Sequence, residues 1–172
     1  MSYKNKKRAS NVATAAILAT LALIFSYIEV LIPFNFAIPG IKLGIANLVI
    51  VVALYKLDFK YAFLINLIRI FIAGFLFSGV FGILYSLAGG MLSLLIMYGL
   101  KKTGLFSVIG VSFAGGVAHN LGQLITAGLI VQNMAVFLYF PVLIFSGLVT
   151  GTLIGIVAHL ILNKLPNKIA LA

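Results

Sequence analysis

Apolar runs of about twenty residues, the length that carries an α-helix across a ~30 Å hydrocarbon core, follow one another along almost the entire chain. Polar and Pro/Gly-bearing punctuation between them is short: Pro33, Pro39-Gly40, Lys56 to Lys60, Lys101-Lys102 and the Lys164–Lys168 tail. Of 172 residues, 63% are hydrophobic and 8% charged, whereas a soluble domain carries roughly 25% charged residues to cover its surface. Lipid is therefore the solvent for most of this chain. The expected fold is all-α: an integral membrane protein with a compact bundle of six transmembrane helices in a single domain, residues 1–172. The expected spans are about 11–32, 41–57, 59–77, 80–100, 106–131 and 134–162. The second is short and carries Lys42 and Asn47, and Gly115-Gly116 gives the fifth a broken character. The basic N-terminus and first apolar run superficially resemble a signal peptide. That run is longer than the 7–15 residues of a secretory core, so it reads as a retained first helix.

Basic residues are distributed as topology signals. Lys4, Lys6, Lys7 and Arg8 precede the first run, Lys56 and Lys60 lie between the second and third, Lys101 and Lys102 between the fourth and fifth, and Lys164 and Lys168 after the sixth. With six alternating spans all ten fall on one side, a positive-inside pattern that predicts cytoplasmic N and C termini in a bacterial inner membrane. A net charge of +10 dispersed in this way lacks the single massed basic face of a nucleic-acid binder. With tryptophan absent, Tyr27, Tyr55, Tyr61, Tyr98 and Tyr139 are left to carry the interfacial aromatic role.

Topology accounts for ten of the twelve basic residues and, with Asp58 in a turn, one of the two acidic ones. Glu29, Lys42 and Arg69 remain. Arg69 lies near the middle of the third run, where an unpaired charge costs at least ~2.5–3.5 kcal/mol. Asn66 stands three residues earlier, on the same helix face. Asn47 lies in the second run, and His119, Asn120 and Gln123 form a polar patch in the fifth. One reading is a cavity open to the outside, lined by Glu29, Lys42, Asn47, Asn66, Arg69, His119, Asn120 and Gln123, for a ligand that is anionic or rich in hydrogen-bond acceptors. The other is a Glu29–Arg69 or Glu29–Lys42 ion pair that sets helix packing, with His119 and Asn120 as interhelical hydrogen bonders. His159 reads as an interface or packing histidine.

Catalytic patterns are absent from the sequence. It holds no cysteine, two histidines and two acidic residues. No Asp-rich motif exists to hold magnesium and a diphosphate, and neither a metal site nor a phosphate-binding Walker loop can be drawn. The expectation is a non-enzyme with no covalently bound cofactor and no energy source of its own. Small-residue stripes recur at Ala15, Ala19, Ala22 and Ser26, at Gly110, Ala114, Ala118 and Gly122, and at Gly147, Gly151 and Gly155. Such faces let helix backbones approach closely in lipid. The last two suit packing within the bundle, whereas the first suits either that or a partner protein.

Taken together, the six short helices, the basic N-terminus and Ala15-x-x-x-Ala19 resemble the substrate-binding S components of energy-coupling factor transporters. The segment Ile38-Pro-Gly-Ile-Lys-Leu-Gly-Ile-Ala-Asn47, followed by Asn66-Leu-Ile-Arg69, more specifically resembles the Gx transporter family, often labelled heptaprenyl diphosphate synthase component I. The resemblance implies a membrane-embedded subunit that holds a small vitamin-like ligand near its outer face. It also implies a transmembrane coupling subunit and ATPases as partners, docked on Ala15 and Ala19, a face that Ala22 extends by its spacing in the same stripe. A flavin-type ligand is the first expectation, stacked on Phe34, Phe36, Phe71, Phe75 or Tyr85. The alternative is a membrane subunit associated with a polyprenyl diphosphate synthase or a quinone/flavin redox system.

Overall fold

The computed structural model describes residues 3–31 and 44–165, and every regular element among them is helical. The helices are α1 (Tyr3–Leu31), α2 (Asn47–Lys56), α3 (Phe59–Ala73), α4 (Gly79–Thr103), α5 (Val108–Val131) and α6 (Phe140–Lys164). A π-helical turn, Gly74–Ser78, joins α3 to α4, and a 3-10 turn, Met134–Tyr139, leads into α6. Four helical stretches are long and apolar enough to cross a membrane: Lys4–Leu31, Phe59–Thr103 (α3 and α4 run together), Val108–Val131 and Met134–Lys164.

Three boundaries differ from the sequence expectation, each for a local reason. First, α1 begins at Tyr3 rather than near residue 11, because Lys4, Lys6, Lys7 and Arg8 are sound helix formers. Second, a continuous helix over 41–57 is ruled out. Gly44 adopts a φ of +80°, Ile45 and Ala46 form a turn, and the helix starts only at Asn47. At 1.5 Å per residue, its 10 residues span about 15 Å, half a membrane. Third, α5 runs unbroken through Gly115-Gly116. Those glycines serve packing instead of a break.

Between α3 and α4 there is no loop. Gly79, at φ 69° and ψ −178°, occupies backbone space open essentially to glycine alone, and it sends α4 back along α3 so that Gly90 lies beside Asn66 and Arg69. At the other end of α3, Asp58 accepts a hydrogen bond from the Tyr61 N–H and caps the helix. Nearby, Lys101 Nζ donates to the Leu54 carbonyl at 2.6 Å and lies 4.9 Å from the Tyr55 ring. A cation from the end of α4 thus meets the negative end of the α2 dipole.

Helix α2 is the centre of the bundle. Val49 to Leu54 are all buried, in contact with α1, α3, α4 and α6. Helix α5 lies between α4 and α6, antiparallel to the latter. A Cβ added to Gly147, Gly151 or Gly155 would come within 2.8 Å of the Gly116 carbonyl, the Ser112 carbonyl or the Ile109 Cα, respectively. The three glycines therefore form a groove into which α5 backbone fits, locked by Ser112 Oγ donating to the Gly151 carbonyl at 2.8 Å. The α1 stripe also turns inward: Ala22 is fully buried, and Ala15 and Ala19 pack against the same core with Leu18 and Phe25. Ala22, at 0% exposure, has no surface left for a partner.

Gly151→Val is expected to destabilise the bundle by about 1–3 kcal/mol through overpacking. Gly99→Ala, where a Cβ meets nothing within 4 Å, leaves stability unchanged or slightly raised. Thermal unfolding in detergent compares the two, and equal midpoints contradict the α5–α6 groove.

Candidate ligand-binding site

Five described residues that the sequence singles out converge where α2 begins. Helix α3 presents Asn66 and Arg69 from one face. Arg69 Nε donates to Asn66 Oδ1 at 3.0 Å, and Nη2 donates to Asn47 Oδ1 at 3.3 Å. Asn47 is the first residue of α2, so the guanidinium is held against that helix's start. On the far side, His119 and Gln123 of α5 stand one turn apart, with Gln123 Nε2 and His119 Nε2 at 3.1 Å. The group is enclosed by protein: Asn66 and Gln123 are 0% exposed and Arg69 3%.

Glycines make this convergence possible. A Cβ on Gly90 would sit 3.1 Å from Asn66 Nδ2 and 3.4 Å from Arg69 Nη2. On Gly89 it would sit 2.8 Å from the His119 carbonyl, and on Gly44 3.0 Å from Asn47 Nδ2 and 3.1 Å from His119 Cδ2. Gly44, Gly89 and Gly90 are the site residues that the reading by charge and polarity misses. The paired glycine in the middle of an apolar run was their only signal, and it stands equally for helix packing.

Glu29 completes the arrangement from α1. Its Oε1 accepts the Ile45 N–H at 2.6 Å, and its carboxylate interacts electrostatically with Arg69. The start of α2 and the guanidinium are both positive, and Glu29 is the acid that faces them. An excess of donors remains. Among the described residues, Asn66 Nδ2 is buried with no hydrogen-bond partner, as is Ser26 Oγ, three residues before Glu29. Buried donors without acceptors are uncommon and call for an explanation. A centre built of a guanidinium, carboxamides and a helix N-terminus is suited to hold an anionic or acceptor-rich group. Among the described residues no group of three or more His, Cys, Asp or Glu is placed to hold a metal ion.

Other expected members lie elsewhere. Asn120 faces α6, where its Nδ2 donates to the Leu143 carbonyl at 2.7 Å, so it ties two helices together rather than pointing to Arg69. Lys42, Phe34 and Phe36 lie outside the described residues. Phe71 and Phe75 are 42% and 79% exposed, apart from the enclosed Arg69 group. Tyr85 is buried, in a separate cluster with Leu124, Ala127, Val136 and Leu143. His159 pairs with Asn163 on an exposed face.

Asn120→Ala is expected to lower stability by about 1 kcal/mol, the scale of an interhelical hydrogen bond in lipid. An unchanged melting midpoint in detergent contradicts the α5–α6 role of this side chain.

The family described as heptaprenyl diphosphate synthase component I matches residues 18–161, which includes Glu29, Asn47, Asn66, Arg69, His119 and Gln123. No curated protein and no solved structure matches the chain significantly. The match spans most of the chain, and the chain therefore belongs to the heptaprenyl diphosphate synthase component I family, the same Gx group, like the S components of energy-coupling factor transporters, that its motifs resemble.

Proposed function

We propose that this protein is a membrane-embedded, S-component-like binding subunit of an energy-coupling-factor-type transporter that takes a small, anionic or acceptor-rich, vitamin-like ligand, with a flavin as the first candidate. The observation that carries the reading is the buried Arg69 guanidinium, shared between Asn66 and Asn47 at the start of a half-length helix. Transporter binding sites recur where a discontinuous helix exposes its N-terminus inside the membrane, and an ionisable side chain at that depth is functional by default.

The proposal includes the topology. In it six spans, with the half-length α2 counted as the second, leave both termini and the basic turns in the cytoplasm of a bacterial inner membrane and Arg69 toward the outer half. Partners are the lipid bilayer, a transmembrane coupling subunit and its ATPases. Ala15 and Ala19, which are partly exposed, are the part of the α1 stripe still accessible for docking. The chain itself is non-catalytic in this proposal. Its two carboxylates, Glu29 and Asp58, stand on different helices, Glu29 at the Ile45 N–H and Asp58 as the α3 cap, so they form no pair to hold a diphosphate with magnesium.

The family's description favours a second reading, a membrane subunit that anchors a soluble prenyl diphosphate synthase. Co-purification with such an enzyme, and loss of its activity when this chain is removed, separates it from the transport reading.

Native mass spectrometry of the detergent-purified protein is expected to find about one small molecule per chain, lost in Arg69→Ala at unchanged folding. Retention in that variant contradicts the site. The cysteine-free sequence also allows single-cysteine labelling: a cysteine at Lys60 or Thr103 reacts from the cytoplasmic side and one at Gln132 from the outside. The reverse pattern contradicts the topology.

A further inference from the structure

A second polar spot lies on the other side of Asn47, where α2, α4, α5 and α6 meet. It is a small cavity of about 10 Å³, lined among others by Asn47, Ser93, Ser112, Thr150, Gly115 and Gly151. Three hydroxyl side chains and a carboxamide gather around this small space, apart from the buried polar group at Arg69. Two of the hydroxyls have spent their protons: Ser112 Oγ donates to the Gly151 carbonyl and Thr150 Oγ1 to the Ser146 carbonyl. Ser93 has not. Its Oγ is buried, at 1% residue exposure, and has no hydrogen-bond partner among the described residues.

We infer that this cavity is a binding site for one ordered water molecule, which accepts the Ser93 hydroxyl proton and donates to the remaining lone pairs of the Ser112 or Thr150 oxygens. The volume is at the threshold that admits one water, and such a site needs two to four polar partners. The space, which Val51, Met97 and Ile154 also line, is too small for an organic ligand. Burying the Ser93 hydroxyl unpaired carries a desolvation penalty, and the water removes it while linking α4 to α5 or α6. The glycines matter here too. A Cβ on Gly115 would come 3.2 Å from Ser93 Oγ and 2.6 Å from the Met97 side chain, so its absence leaves the space open. Asn47, which also holds Arg69, forms the wall between the water and the guanidinium centre.

An experimental structure at a resolution that shows ordered water is expected to carry a peak within hydrogen-bonding distance of Ser93 Oγ and of a second polar atom of the cavity wall. A fully enclosed Ser93 with no peak overturns the inference. Independently, Ser93→Ala is expected to lower the melting midpoint in detergent by about 2–4 °C, since the water loses a partner. An unchanged or raised midpoint, the result for an orphan hydroxyl simply removed, overturns it. Neither readout depends on the ligand proposed for Arg69.

Discussion

A guanidinium enclosed in an apolar bundle is the constraint around which the centre of this protein is arranged. In a lipid-embedded core a charge unpaired by protein costs at least ~2.5–3.5 kcal/mol, so Arg69 persists only because the neighbouring helices supply acceptors. Asn66 offers its oxygen from one turn away, Asn47 from the start of α2, and Glu29 supplies an electrostatic counter-charge from α1. Meeting that demand requires α2 to begin inside the bundle rather than at its edge, which the left-handed Gly44 permits. It also brings α4 so close that a Cβ on Gly89 would come 2.8 Å from the His119 carbonyl and one on Gly90 would press on Asn66 at 3.1 Å.

The rest of the bundle is held by a different device. Hydrophobicity cannot drive helices together in lipid, so backbone proximity must. The α5–α6 groove of Gly147, Gly151 and Gly155 and the α4–α5 contact at Gly89 and Gly122 provide it. Both involve α5, which consequently carries two functions on two faces. His119 and Gln123 bond to each other beside Gly44 and Gly89, and Asn120, next in sequence to His119, bonds to α6.

That division shows what the sequence could and could not convey. Charge bookkeeping isolates Arg69 and Glu29 because ionisable residues at membrane depth are rare, and the Asn66 pairing follows from helical spacing. The glycine series on α6 is equally readable as a packing face. The separation of Asn120 from His119 is not readable, because it depends on which neighbour each face meets. Nor is the true start of α2. The segment from Ile41 to Leu57 reads as one largely apolar run despite Lys42 and Asn47, and the left-handed Gly44 with the turn at Ile45 and Ala46 is not visible in one dimension. Ala22 was a candidate for docking by its spacing alone, and the packing of α1 against the core removed it.

The most direct measurement on the central claim is an experimental structure of the protein as purified from expressing cells, inspected at Arg69. The account predicts non-protein density within hydrogen-bonding distance of the guanidinium and of Asn66 Nδ2, beside the first turn of α2. An Arg69 surrounded by protein atoms alone, in a preparation shown to retain a bound small molecule elsewhere, would contradict it.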